Sequence, residues 1–264
     1  VRERSIQWLM AVSAVSCLLW AGGLAITLLH YFGGAAAAPV KEAPAAENKP
    51  PAPVVEDDGR FRVLALGDSL TRGTGDPEGK GYVGYLLDRL KEKTQQEVVV
   101  ENYGVDGQTS SELAELLQQS EVQSQVRAAD VIVISTGGND LFQGGRTLEN
   151  LDPANIQAIE AAYARQLDAI LQQVRQENEA ARIFLIGLYN PFIELKDTAV
   201  TTKIVRDWNY KAAEVAAPYP LTVLVPTFDL FQMKVQDYLA RDLFHPNAAG
   251  YRLIADRVAS LITW

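Results

Sequence analysis

Four clusters of polar residues follow apolar runs in this chain, and together they hold the groups that acyl transfer needs. The first is Gly67-Asp68-Ser69-Leu70, at the end of Val63-Leu64-Ala65-Leu66. A serine hydroxyl is a poor nucleophile unless a base takes its proton. His245 is the only histidine outside the amino-terminal segment that holds His30, so it is the one base of that type available. Imidazole titrates at about pH 6.5, which suits the task. Asp242, three residues earlier, could orient the ring and stabilise the imidazolium. A tetrahedral oxyanion would need donors, and the candidates are the N–H of Ser69, the N–H of Gly107 and the side-chain amide of Asn139.

The same residue types have plainer uses. Gly, Asp and Ser make ordinary strand-ending turns, and Asn139-Asp140 after two glycines reads equally as one. Gly107 could only supply a positive φ. Asp242 and Asn247 could cap the last helix, with His245-Pro246 as its lead-in. The elements that carry these clusters favour the chemical reading. Buried-strand patterns are expected at residues 61–66, 98–102, 131–135, 183–188 and 221–225. Helical spacing separates them: Val83, Leu86, Leu87 and Leu90; Leu113, Leu116 and Leu117; Ile156 through Val174, opened by Asp152-Pro153; Ile204 through Val215; and Tyr251 through Leu261. Alternating strands and helices predict a three-layer α/β domain with a parallel sheet. In such a sheet the carboxyl ends of all strands share one edge, where ligands bind. Every polar cluster follows a strand, so all converge there. Strand order does not follow from periodicity.

Composition narrows the class. The chain has 264 residues, 48% of them hydrophobic, enough for one sizeable core. A net charge of −9, spread along the chain, argues against nucleic acid as a partner, which needs a basic face. A single cysteine, Cys17, excludes an intrachain disulfide and a Cys-based zinc site. Residues 6–29 carry no charged side chain and follow Arg2 and Arg4, which predicts a single membrane-crossing helix with a cytoplasmic amino terminus. A cleaved secretory signal is the alternative, with Ala35-Ala36-Ala37-Ala38 near the cleavage point, and a lipid-modified Cys17 is a weaker one. Either main reading exports the rest of the chain. The expected organisation is an anchor over 1–32, an Ala/Pro-rich extended linker over 33–59, and a folded domain over 60–264.

As a set, Gly67-Asp68-Ser69-Leu70, Gly107 within Asn-Tyr-Gly-Val-Asp-Gly, Gly138-Asn139-Asp140 and Asp242-Leu-Phe-His245-Pro246 resemble the four sequence blocks of the SGNH hydrolases, or GDSL esterases and lipases. The nearest likeness is to bacterial lysophospholipase-like members. The resemblance implies a flavodoxin-like α/β/α sandwich with a five-stranded parallel sheet, preceded here by the transmembrane helix. It implies Ser69 as nucleophile, His245 as base, Asp242 as its partner, Ser69, Gly107 and Asn139 as the oxyanion hole, and no metal or organic cofactor. Thr71 stands where the larger α/β-hydrolases would place the second glycine of their nucleophile elbow, so that fold is excluded. The expected substrate is a small-molecule or lipid ester: a lysophospholipid, short acyl ester or thioester. Acetyl groups on cell-wall or exopolysaccharide sugars are the alternative. A non-catalytic surface module for glycans or partners is the reading from another class. Loops 141–152 and 190–202, the second containing Pro191, Phe192, Ile193 and Leu195, are expected to line the acyl side.

Overall fold

Along the first strand of the sheet, Val63 and Ala65 face one side and Leu64 and Leu66 the other, and all four are buried. A strand apolar on both faces needs helices on both sides. The structure, a computed structural model, describes residues 2–33, 58–193 and 198–263. In chain order its elements are α1 (Arg2–Gly33), β1 (Phe61–Gly67), α2 (Ser69–Arg72), α3 (Gly81–Lys93), β2 (Val98–Gly104), α4 (Ser110–Leu116), α5 (Ser120–Ala128) and β3 (Val131–Ser135). They continue with α6 (Gly138–Phe142), α7 (Arg146–Glu149), α8 (Pro153–Glu177), β4 (Arg182–Ile186), α9 (Thr198–Ala216), β5 (Thr222–Val225), α10 (Phe228–Gln232), α11 (Val235–Tyr238) and α12 (Ala248–Leu261).

The five strands are all parallel, in the order β2-β1-β3-β4-β5. One core lies between the sheet and α3 with α12, through Tyr82, Leu86, Leu90, Tyr251 and Ile254. The other lies under α4, α5, α8 and α9, where Tyr163 of α8 stacks on Trp208 of α9 at 4.5 Å between ring centroids. This is the expected three-layer sandwich, with the strand order of the flavodoxin type. That order reverses direction between β1 and β3, the place where doubly wound sheets open a ligand crevice.

Five strand ends differ from expectation by one or two residues, and two of them have a local reason. β4 ends at Ile186 rather than 188 because the Asn209 side chain donates to the Leu188 carbonyl and accepts from its N–H, both at 2.7 Å, in place of a neighbouring strand. β5 begins at Thr222 because Leu221 has φ 54°, outside the extended region. Asp152 caps α8 as expected, accepting from the Asn155 N–H.

The chain divides into two compact units, Val1–Val54 and Val55–Trp264. In the first, α1 runs 32 residues. Among the described residues no helix is long and apolar enough to cross a membrane. The longest stretch of α1 with described side chains is 13–27, which rises about 22 Å against a hydrocarbon core of about 30 Å. The expected crossing therefore rests on the sequence alone. Most of the expected linker, residues 34–57, lies outside the described residues.

Candidate active site

β1 ends on Gly67 at φ 137°, with its Cα against the end of β3. A Cβ there would lie 2.0 Å from the Ser135 carbonyl oxygen and 2.6 Å from Ser135 Oγ, so only glycine allows this approach. The chain then turns into α2. Asp68 is its N-cap, accepting from the Leu70 N–H at 3.0 Å. Ser69 is the first helical residue, and its N–H has no acceptor among the described residues, as expected for a first-turn donor.

The histidine arrives on a closed loop. The Ala240 N–H donates to the His245 carbonyl and the Asn247 N–H to the Tyr238 carbonyl, at 2.8 and 2.9 Å. Tyr189 OH, from the loop after β4, donates to the Phe244 carbonyl at 2.6 Å. Leu243, at φ 57°, turns the backbone so that the N–H groups of Phe244 and His245 both reach Asp242 Oδ1 at 3.0 Å. That leaves Oδ2 for His245 Nδ1 at 2.6 Å, while Nε2 lies 2.9 Å from Ser69 Oγ. Partial burial alone would raise the Asp242 carboxyl, but the hydrogen bonds from the His245 ring and the two backbone N–H groups outweigh it and hold it below the usual carboxylate range. An ionised carboxylate only accepts, so Nδ1 carries the proton and Nε2 offers its lone pair to the serine hydroxyl.

Asp68 is shifted the other way. It is 6% exposed, and burial pushes its carboxyl up against the opposing hydrogen bonds from Ser135 Oγ, at 2.7 Å, and the Leu70 N–H. Behind it runs a buried hydroxyl chain: Tyr82 OH to Thr71 Oγ1 at 2.7 Å, then Thr71 Oγ1 to Ser135 Oγ at 2.8 Å. Burial raises the Tyr82 phenol far above its ordinary range.

Asn139 sits in the first turn of α6, following β3. One of its amide hydrogens goes to the Gln108 carbonyl at 2.9 Å, which leaves the other available. Gly107 adopts φ 77° in an exposed turn after β2, and its N–H is also unpaired among the described residues. Ser69, Asn139 and His245 line one cleft of about 440 Å³, counting its open mouth. Leu70, Phe142, Leu188, Tyr189, Pro191 and Phe244 supply its apolar wall. Phe142, Phe192 and Phe244 pack as a trio, with centroids 4.9, 5.8 and 6.0 Å apart, and Phe244 meets the His245 ring edge-on.

The structure thus hydrogen-bonds Ser69, His245 and Asp242 into one chain and places Asn139 in the same cleft. Gly107 lies one strand over and is not among the residues lining the cleft. Phe142 and Pro191 come from the two loops expected on the acyl side; Leu195 lies outside the described residues. Asn247 does cap α12, accepting from the Ala249 and Gly250 N–H groups, whereas Asp242 is committed to the histidine loop. Sequence reasoning missed Ser135, Thr71, Tyr82 and Ser110. Ser135 carried a usable signal as the one polar residue closing the run Val-Ile-Val-Ile.

Such an arrangement can deprotonate a serine, hold the resulting imidazolium and present N–H donors to an oxyanion. Comparison with known proteins points to ester hydrolysis. The profile of the GDSL-like lipase/acylhydrolase family matches residues 65–253. The uncharacterized protein YpmR of Bacillus subtilis (strain 168) is 36% identical over 205 residues, covering 76% of this chain and 80% of that one. The spore germination lipase LipC of Bacillus licheniformis is 29% identical over 210 residues, covering 75% and 94%. Among solved structures, the lipase Lip_vut3 from a goat rumen metagenome superposes with a TM-score of 0.70 at 25% identity, covering 76% and 96%. The chain therefore belongs to the GDSL-like lipase/acylhydrolase family and is an SGNH-type ester hydrolase.

Proposed function

We propose that this protein hydrolyses carboxylic esters or thioesters of an apolar acyl group, lysophospholipids among them, through an acyl-Ser69 intermediate. The observation that carries the reading is the chain from Ser69 Oγ through His245 to Asp242, at 2.9 and 2.6 Å. Ser69 Oγ attacks the acyl carbon as Nε2 takes its proton. Asp242 stabilises the imidazolium, and the Ser69 and Gly107 N–H groups and the Asn139 amide hold the oxyanion. The imidazolium then protonates the departing alkoxide or thiolate. A water, deprotonated by the same nitrogen, releases the acid and restores the serine. The apolar wall of Leu70, Phe142, Leu188 and Phe244 favours an alkyl chain over an acetylated sugar, which would present hydroxyls.

The proposal extends to location. Residues 6–29, without a charged side chain, make about 36 Å of helix, enough for a bilayer core of about 30 Å. Leu18, Leu19 and Trp20 are each at least 72% exposed on successive sides of α1, as suits lipid contact on all faces. The protein is then single-pass, with its hydrolase domain extracytoplasmic.

A panel of p-nitrophenyl esters from acetate to palmitate, with lysophosphatidylcholine and acetylated xylan, tests the substrate class. Turnover should favour the longer acyl esters, and a preference for acetyl xylan would reverse that reading. Ser69→Ala should lower ester turnover by about 10⁴–10⁶ and abolish labelling by a fluorophosphonate. Activity within a few-fold of wild type would remove Ser69 as nucleophile. A wild-type protein that is folded yet never labels would favour a binding module instead.

A further inference from the structure

The two oxyanion donors proposed above outside α2, Gly107 and Asn139, come from separate segments, and a clamp between Asp140, one residue beyond Asn139, and Ser110, three beyond Gly107, joins them. Gly107 is on a turn, 105–108, exposed at 105–107, whose register relative to Asn139 has to be held closely, because an oxyanion donor works only within hydrogen-bonding distance of the developing charge. On the β1 side the turn is held by the Val105 N–H, which donates to the Gly67 carbonyl at 2.8 Å. Asp106 adds contacts to Thr74 and to Arg72, but the Arg72 and Asp106 side chains are 61% and 56% exposed, where ion pairs contribute little. On the β3 side the contacts are drier. Asn139 donates to the Gln108 carbonyl, and the next residue, Asp140, accepts both from the Ser110 N–H at 2.9 Å and from Ser110 Oγ at 2.5 Å. Ser110 is completely buried. A carboxylate accepting two hydrogen bonds from one buried residue is a charge-assisted clamp, stronger than the exposed pair opposite.

We propose that Asp140 and Ser110 are positioning residues for the oxyanion hole: their double hydrogen bond locks the Asn139 turn to the Gly107 turn at the spacing the tetrahedral intermediate requires. Neither touches the reacting atoms. The inference rests on the ester-hydrolase reading of the cleft. It assigns a role to the second residue of the Asn139-Asp140 pair that capping does not supply, since α4 already has its own N-cap in Thr109, with a reciprocal bond to Glu112.

The test compares Asp140→Ala, Asp140→Asn and Ser110→Ala with wild type, measuring kcat, KM, the fluorophosphonate labelling rate and the melting temperature. If the clamp sets the hole, Asp140→Ala lowers kcat about ten- to a hundredfold, less than the 10²–10³ of removing a donor outright. KM stays within about twofold, because the hole binds the transition state rather than the ester. Labelling slows by a similar factor, since the phosphonyl oxygen needs the same donors. Asp140→Asn, which keeps one acceptor, recovers part of the loss, and Ser110→Ala falls between. Folded variants with wild-type kcat, or with KM raised and kcat unchanged, overturn the proposal. Should Asp140→Ala fail to fold, Asp140→Asn and Ser110→Ala decide by the same split. A wild-type protein that neither turns over esters nor labels would instead overturn the ester-hydrolase reading, and the clamp with it.

Discussion

Asp68 and Asp242 are carboxylates of one site, and their surroundings push them in opposite directions. Asp242 faces an imidazole and two N–H groups and is depressed; Asp68 is raised, because burial outweighs the Ser135 and Leu70 hydrogen bonds and a weaker pull from His245. Linkage fixes the sign of each contribution to stability. A depressed carboxyl stabilises the fold above its unfolded value of about 3.9, and that contribution is lost as pH falls through the lower folded value. For half-exposed Asp242 it is small. A raised carboxyl does the reverse. The folded chain holds the Asp68 proton more tightly than the unfolded chain, so stability declines as pH rises from about 4 through the folded value. Asp68→Asn keeps an oxygen for the Leu70 N–H and Ser135 and has no proton to lose. Its unfolding free energy in urea, relative to wild type, should therefore increase from pH about 4 upward and then level off. A gap that stays flat or narrows would show that Asp68 carries no burial penalty.

At the scale of elements, the crevice depends on how closely β1 and β3 end together. Gly67→Ala forces a Cβ to 2.0 Å from a backbone oxygen of the neighbouring strand, which no side-chain rotation relieves. The expected cost is about 3 kcal/mol or more, at the upper end of overpacking effects. For a unit of this size that corresponds to a melting temperature lower by about 6–12 °C. Gly79→Ala is the control. It has φ 67° with nothing within 4 Å of the added Cβ, so only backbone strain of about 1–2 kcal/mol applies. Equal losses in the two variants would locate the cost in φ rather than in the strand contact. The same elements show what the sequence could reveal. Runs such as Val131-Ile132-Val133-Ile134 are buried on both faces, so periodicity found all five strands to within two residues at either end. The triad candidates were legible because each type is scarce or sits at a strand end: one histidine outside the amino-terminal segment, and one aspartate three residues before it. The Ser110–Asp140 clamp and the Tyr82–Thr71–Ser135–Asp68 chain were not, because they join residues 11 to 67 positions apart through contacts that no local pattern encodes. Helix α5 was missed because only Val122 and Val126 mark its buried face.

For the whole molecule, the question is how much the amino-terminal unit matters to the hydrolase. All the groups of the site, from Gly67 to His245, lie in the unit Val55–Trp264, and both apolar cores are built from residues 61–262. Nothing the chemistry uses comes from residues 1–54. A fragment of residues 55–264 should therefore fold alone, melt within a few degrees of the full chain and turn over p-nitrophenyl butyrate at the same kcat. The two should differ at a lipid surface. On the location proposed above, the uncharged stretch 6–29 supplies the binding rather than charge, since the chain carries a net charge of −9. Hydrophobic insertion is not screened, whereas attraction between exposed charges is largely lost at high salt. The full chain should then pellet with neutral phosphatidylcholine vesicles equally at 0.1 M and 1 M salt, while the fragment stays in the supernatant at both. Equal pelleting of fragment and full chain, or release of the full chain by salt, would show that residues 6–29 are not the tether. In that case the lipid-facing proposal for location fails while the ester chemistry of the cleft is untouched.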